Sequence, residues 1–243
     1  YVDWSWVFWF NIPFGIAALF GLSRYLHESV GSRTRRLDLQ GAALLFVAMA
    51  GLMVLLNQGS SLGQPVRIGL GVFTLVIASW LVRRLLTVPG AILPLDLWRD
   101  RLILLANLSA FVAGVVMIGV ISYAPAYVQG VMGYAPLIAG FALSTMSLGW
   151  PLASSLAGRL LIPVGPANVA RMGGIAALVG GVLYLLLRPA LGPAWVAVSS
   201  FAVGVGMGFI NTSSIVSIQS TVTWERRATA TAGNMLMRLL GNS

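Results

Sequence analysis

Apolar residues run along this chain in long blocks, broken by short polar segments that carry most of the arginines. The blocks cover approximately residues 6–26, 39–57, 68–86, 102–124, 136–156, 172–187 and 195–218, with another opening at 228. A hydrocarbon core about 30 Å thick takes roughly 20 residues of helix, so each complete block predicts one membrane crossing. A transmembrane β-strand would read as about ten residues of alternating polarity, whereas these blocks are continuous and rich in Leu, Ala, Val and Gly. The pattern predicts an all-α membrane protein with seven complete transmembrane helices and part of an eighth.

Charge placement gives the spans a direction, because short cytoplasmic loops collect Lys and Arg and translocated loops do not. With the first span starting outside, the inward connections hold Arg24, Arg33, Arg35, Arg36, Arg83, Arg84, Arg99, Arg101, Arg159, Arg171, Arg226 and Arg227, twelve of the fifteen arginines. The outward connections hold only Arg67 and Arg188. Residues 27–38, 83–101, 157–171 and 219–227 are therefore expected in the cytoplasm, and Trp4, Trp6 and Trp9 in an outer aromatic belt. Pro136 suits the first turn of a helix. Pro163 and Pro166 fall in a connection, while Pro125 and Pro151 lie beside or within spans and are expected to kink them.

Composition closes several routes. Charged residues make up 9% of the chain, against about a quarter in a soluble domain. Lysine is absent, which removes the phosphate-gripping lysine of a Walker loop and any ATP-driven motor built on it. With no cysteine and a single histidine, His27, neither a thiolate nucleophile nor a metal site is expected, and no cofactor. The net charge of +9 is scattered between apolar runs and suits an anionic inner leaflet, so no nucleic-acid partner is expected. The chain opens without methionine and without a signal-peptide pattern, which reads as a fragment.

Two catalytic-looking motifs carry little. Gly59 to Gly63 spell G-x-S-x-G around Ser61, but a nucleophile elbow needs a histidine base in reach, and His27 falls on the opposite side of the membrane. Gly204, Gly206 and Gly208 would need a preceding strand to bind a dinucleotide. Small residues at Gly204, Gly208 and Thr212, and at Gly173, Ala177 and Gly181, instead repeat every four positions, the spacing for close helix contact in lipid. The sequons at Asn107 and Asn211 lie inside spans.

Polar groups in hydrocarbon must find partners or water, and the seventh span carries a stripe of them. Asn211, Ser214, Ser217 and Thr221 share one helix face, either as the wall of a solvated cavity or as hydrogen bonds between packed helices. Asn107, Tyr123, Ser144, Thr145 and Ser147 carry the same two readings. Met117, Met146, Met207, Phe111, Phe141, Phe209 and Trp150 are either an adaptable wall for lipophilic ligands or core and lipid contact. Arg238 lies about 15 Å into the eighth segment, counting from Ala228, as a functional interior arginine or a sign that the segment boundary is misplaced. No Asp or Glu lies within a span.

Several segments resemble one family, the fourteen-span drug:proton antiporters of the major facilitator superfamily, EmrB/QacA type. Trp4-Ser5-Trp6-Val7-Phe8-Trp9-Phe10-Asn11-Ile12-Pro13-Phe14-Gly15 resembles the opening of that family's sixth span, with Ser5 in place of arginine. Pro94-Leu95-Asp96-Leu97-Trp98-Arg99-Asp100-Arg101 is similar to the linker before its ninth span, and Tyr127-Val128-Gln129-Gly130-Val131-Met132-Gly133-Tyr134-Ala135-Pro136 with Ala139-Gly140 to its Y-x-Q-x-V-x-G-x-S-P-x-x-A-G signature. Gly158, Arg159, Leu160 and Gly165 resemble a superfamily loop motif, with Ile162 and Pro163 at its acidic and basic places. Glu225-Arg226-Arg227-Ala228-Thr229 and Arg238-Leu239-Leu240-Gly241 resemble the passage into the thirteenth span.

The resemblance implies a partial major-facilitator-type bundle. Residues 1–26 would end the N-terminal bundle, 27–38 form a loop, 39–101 hold two inserted helices and a linker, and 102–243 a truncated C-terminal bundle. It implies a secondary transporter in a bacterial inner membrane that exports lipophilic or amphipathic substrates against a proton gradient by alternating access, with a periplasmic adaptor protein as a further partner. Substrate-cavity candidates are Asn107, Tyr123, Met146, Asn211, Ser214, Ser217 and Arg238. A metabolite carrier of the same superfamily and a membrane scaffold are the rival readings; a membrane enzyme would need acidic clusters, and the six acids are dispersed. In this cysteine-free chain, cysteines placed at Arg35 and Arg67 should react with an impermeant maleimide from opposite sides of the membrane, and labelling from one side would break the topology.

Overall fold

The computed structural model describes residues 6–25, 38–58, 61–88 and 95–243, which form two units, residues 1–37 and residues 38–243. The first unit is the helix α1, Trp6–Tyr25, apolar apart from Asn11, Ser23 and Arg24, with Pro13 inside it. Its Phe10 and Phe14 rings meet one turn apart in a tilted arrangement, with centres 5.1 Å apart. Trp4, His27 and Arg33 to Arg36 lie outside the described residues, as do Gly59, Ser60 and the start of the linker at Pro94.

The second unit contains α2 (Leu39–Gln58), α3 (Gln64–Thr87), α4 (Arg101–Gly130), α5 (Pro136–Val164), α6 (Pro166–Leu185), α7 (Gly192–Thr221) and α8 (Trp224–Gly241), with a 3₁₀ turn at Leu95–Arg99. Helices α2 to α7 are each long and apolar enough to cross a membrane. α8 is different: 18 residues with a polar face. α2 and α3 form a hairpin. Asp38 caps α2 by accepting from Gly41 N at 2.9 Å, and the same oxygen accepts from Arg84 Nε and Nη2 at the end of α3.

Two connections differ from the expected ones. Residues 157–171 read as a cytoplasmic loop, yet α5 continues to Val164 and α6 begins at Pro166. Only Gly165 separates them, at φ +84, a left-handed conformation that glycine adopts without a Cβ clash, and Pro166 follows at a helical position whose missing N–H costs nothing. Pro163 thus lies within α5 and Gly158, Arg159 and Leu160 are helical. Residues 219–227 likewise reduce to a short break between α7 and α8. Hydropathy marks where lipid ends, whereas backbone hydrogen bonding carries the helix on into the interfacial region.

α7 is the central helix of this unit, packed on α4, α5 and α6, while α8 packs mainly on α4. Its contacts rest on small residues. A Cβ at Gly204 would collide with the Met146 carbonyl, and one at Gly208 with the Trp150 carbonyl, both on α5; one at Gly206 would lie 2.6 Å from Ala177 N on α6. Lipid provides no hydrophobic drive between helices, so close backbone approach and dispersion hold them. The buried core holds many small residues, Val128, Ala139, Val196 and Val203 among them, together with Met146 and Met207, while larger side chains such as Leu152, Leu178 and Phe141 face outward. Of the two small-residue stripes, Gly204, Gly208, Gly173 and Ala177 make such contacts, but Gly181 has open space beside it.

Gly208→Ala is expected to destabilise the solubilised full-length protein by about 1–3 kcal/mol through overpacking. Gly174→Ala, with nothing within 4 Å, should be neutral or stabilising by up to about 1 kcal/mol. Thermal unfolding in detergent compares them, and equal losses would remove backbone approach as the explanation.

A polar junction between α4, α7 and α8

Helices α4, α7 and α8 meet around a set of polar side chains. Counting 1.5 Å per residue from the start of α4, the start of α8 and the end of α7 places Gly114 and Arg238 about 20 Å and Asn211 about 15 Å along their helices. There the backbones of α4 and α8 touch: a Cβ on Gly114 would collide with the Arg238 carbonyl, and one on Gly241 with the Phe111 carbonyl. This approach sets the reach of the α8 side chains.

Arg238 Nη1 donates to Asn211 Oδ1 at 2.5 Å, across from α8 to α7. One turn earlier, Asn234 Nδ2 donates to the Ala106 carbonyl at 3.0 Å and to Asn107 Oδ1 at 3.2 Å, tying α8 to α4. Asn107 and Asn234 are 1% and 2% exposed, so these bonds are out of reach of bulk solvent. Arg238, Asn211, Asn234 and Ser214, with Trp150 and Met207, line a void of about 10 Å³, the size of one water. At the inner end, Arg226 of α8 pairs with Asp96 of the 3₁₀ turn before α4, and the Arg227 guanidinium lies 5.3 Å from the Trp224 ring centre.

The sequence candidates separate into groups. Asn107, Asn211, Ser214 and Arg238 come together here. Ser217 lies one turn further along α7, half-buried, and its carbonyl accepts from Ser220 and Thr221 of the same helix. Met146 is buried in the α5–α7 core against Gly204. Tyr123 is 76% exposed and lines a separate cleft of about 380 Å³ with Tyr127 and Tyr184, where Tyr184 bonds Ser200 on α7 at 2.6 Å. Thr145 donates to the Ala197 carbonyl at 2.6 Å, a bond between α5 and α7, whereas Ser144 bonds within its own helix and Ser147 is exposed. Gly158 and Arg159 are exposed at the end of α5, Leu160 packs against the cluster of Ala153, Ala157, Val169 and Phe209, and Gly165 makes the turn.

Asn234 was not among the sequence candidates, although a signal existed. Arg227, Thr231, Asn234 and Arg238 recur at spacings of four, three and four, the same helix-face rule that picks out the α7 stripe. Arg227 Nε and Thr231 Oγ1 are buried without hydrogen-bond partners. Among the described residues no group of His, Asp or Glu could hold a metal ion.

A bundle of apolar helices on glycine contacts, with its polar groups gathered where three of them meet, defines a polytopic membrane protein. The family model of the Major Facilitator Superfamily matches residues 1–243, and the chain belongs to that superfamily. It is 29% identical, over 99% of its length, to Multidrug resistance protein 3 of Bacillus subtilis (strain 168), of which it covers 48%. It is 30% identical, over 98% of its length, to the MFS-type efflux pump MMF1 of Pseudozyma antarctica (strain T-34), covering 46%, and 27% identical, over 99%, to Multidrug resistance protein Stp of Mycobacterium tuberculosis, covering 45%. The chain spans about half the length of the curated relatives it matches.

Interhelical hydrogen bonds in membranes couple by about 0.6 kcal/mol on average and up to about 1.7. A double-mutant cycle of Asn107→Ala and Asn234→Ala, read by thermal unfolding of the full-length protein, should give about 0.5–1.5 kcal/mol of coupling. Strict additivity would show that the two amides do not act together.

Proposed function

We propose that this chain is part of a proton-coupled exporter of lipophilic or amphipathic compounds, of the fourteen-span type, working by alternating access in a bacterial inner membrane. The observation that carries the reading is the junction of α4, α7 and α8, where Arg238 and Asn211 meet at the depth at which carriers of this kind bind their cargo. The efflux and multidrug names of the relatives support the direction. Apolar walls and few polar groups suit varied greasy substrates, since such surfaces repack at low cost. Asn107, Ser214 and Ser217 extend the polar face, and the Tyr123 cleft offers a second apolar surface toward the outer side. The motif residues Gly158, Arg159, Leu160 and Gly165 would serve the hinge between α5 and α6. A periplasmic adaptor protein belongs to the same proposal.

The α1 to α7 helices contain no Asp or Glu, so the proton-carrying group would lie in another part of the transporter. Everted vesicles bearing the full-length protein should accumulate a lipophilic dye when a proton gradient is imposed and release it when a protonophore is added. Accumulation that needs ATP and ignores the gradient would refute the coupling, and no accumulation would refute export.

A further inference from the structure

The close helix contacts of α4 to α8 fall into two sets. Gly149, Gly204 and Gly208 bring the backbones of α5 and α7 together, and Gly173, Gly180 and Gly206 do the same for α6 and α7. Gly114 and Gly241 join α4 to α8. Among the described residues no glycine gives such an approach between the two sets. Side-chain hydrogen bonds between helices divide the same way. Thr145, Ser154, Tyr184 and Trp195 make theirs among α5, α6 and α7. Asn234 makes both of its own to α4, and Arg226 ties α8 to the turn that leads into α4. Among the described residues one side-chain bond crosses from set to set, from Arg238 of α8 to Asn211 of α7. The rest of the seam is apolar packing, with Ala113, Val120 and Val128 of α4 in one cluster with Ala142, Val203 and Met207.

We infer that α4 and α8 form one rigid body, that α5, α6 and α7 form another, and that the seam between them is a shear plane held by the Arg238–Asn211 bond. A glycine notch fixes the backbone it receives, because a shift of one residue, about 1.5 Å along a helix, drives that backbone into the next side chain. Apolar side chains in lipid have no such lock. They exchange one set of dispersion contacts for another as packed helices slide. A single hydrogen bond between membrane helices adds a modest hold that can break and re-form. Alternating access swings whole bundles, whereas this seam lies within one bundle and follows from packing alone.

The test measures distances between spin labels by electron paramagnetic resonance in the full-length protein, with any cysteine outside residues 1–243 replaced by serine. The labels sit on cysteines at exposed positions. Met235→Cys on α8 with Leu178→Cys on α6 spans the seam, Leu108→Cys on α4 with Met235→Cys reports on the first body, and Leu152→Cys on α5 with Leu178→Cys on the second. Arg238→Met removes the donors and keeps the apolar stem, while Asn211→Leu removes the acceptor. Each should shift or broaden the seam-spanning distance by about 2 Å or more and leave the other two unchanged. Asn211→Asp keeps an acceptor for Arg238 and should preserve the wild-type distribution. Changes of equal size in all three label pairs would mean general loosening, and an unchanged seam-spanning distance would mean that the bond holds nothing. Either result overturns the inference, as does an Asn211→Asp variant that behaves like Asn211→Leu.

Discussion

Everything in the larger unit depends on how closely helix backbones can approach in a solvent as apolar as their own side chains. Leucine gains nothing by leaving lipid for another helix, so contact is favoured only where many atoms meet at once. α7 meets this constraint by carrying Gly204 and Gly208 toward α5 and Gly206 toward α6, with no Cβ to hold the neighbouring backbones away. Many larger apolar residues lie on the outside of the unit, and the core mixes alanine, glycine, serine and valine with Ile103, Met146, Met207, Phe209 and Ile218.

The same constraint makes the polar junction possible. Gly114 and Gly241 let α4 and α8 touch, and only then does Asn234 reach the Ala106 carbonyl and the Asn107 amide. Arginine at the centre of a membrane helix costs about 2.5–3.5 kcal/mol on insertion scales, so its position must be supported by partners. Asn211 on α7 provides one neutral acceptor. A packing device and a candidate binding device therefore share one place, and the first fixes the geometry of the second.

How much of this was legible in the residues varies with the range of the interaction. The crossings were legible because lipid demands an apolar helix of about 20 residues regardless of neighbours. The inner connections were read too long. Hydropathy falls at Leu156, but α5 continues through Pro163 to Val164 and ends at Gly165. The α7 stripe was legible from spacing, and so was Arg238, yet Asn234 passed unnoticed although it lies four residues away on the same face. Met146 and Tyr123 lie elsewhere: Met146 is buried against Gly204 and Tyr123 lines a separate cleft. Their placement depends on the rotation of α5 and α4 about their axes, which an evenly apolar helix does not encode.

The sequence alone determined that this chain is helical and that it crosses lipid repeatedly, since these follow from solvation of each segment independently. The tertiary structure decided which polar residues meet. Whether Asn107 faces Asn234 or lipid, and whether Arg238 finds an amide or an acid, depends on the crossing point and rotation of three helices. For α4 and α8 those are set by glycine contacts between residues more than a hundred positions apart, which no local pattern specifies.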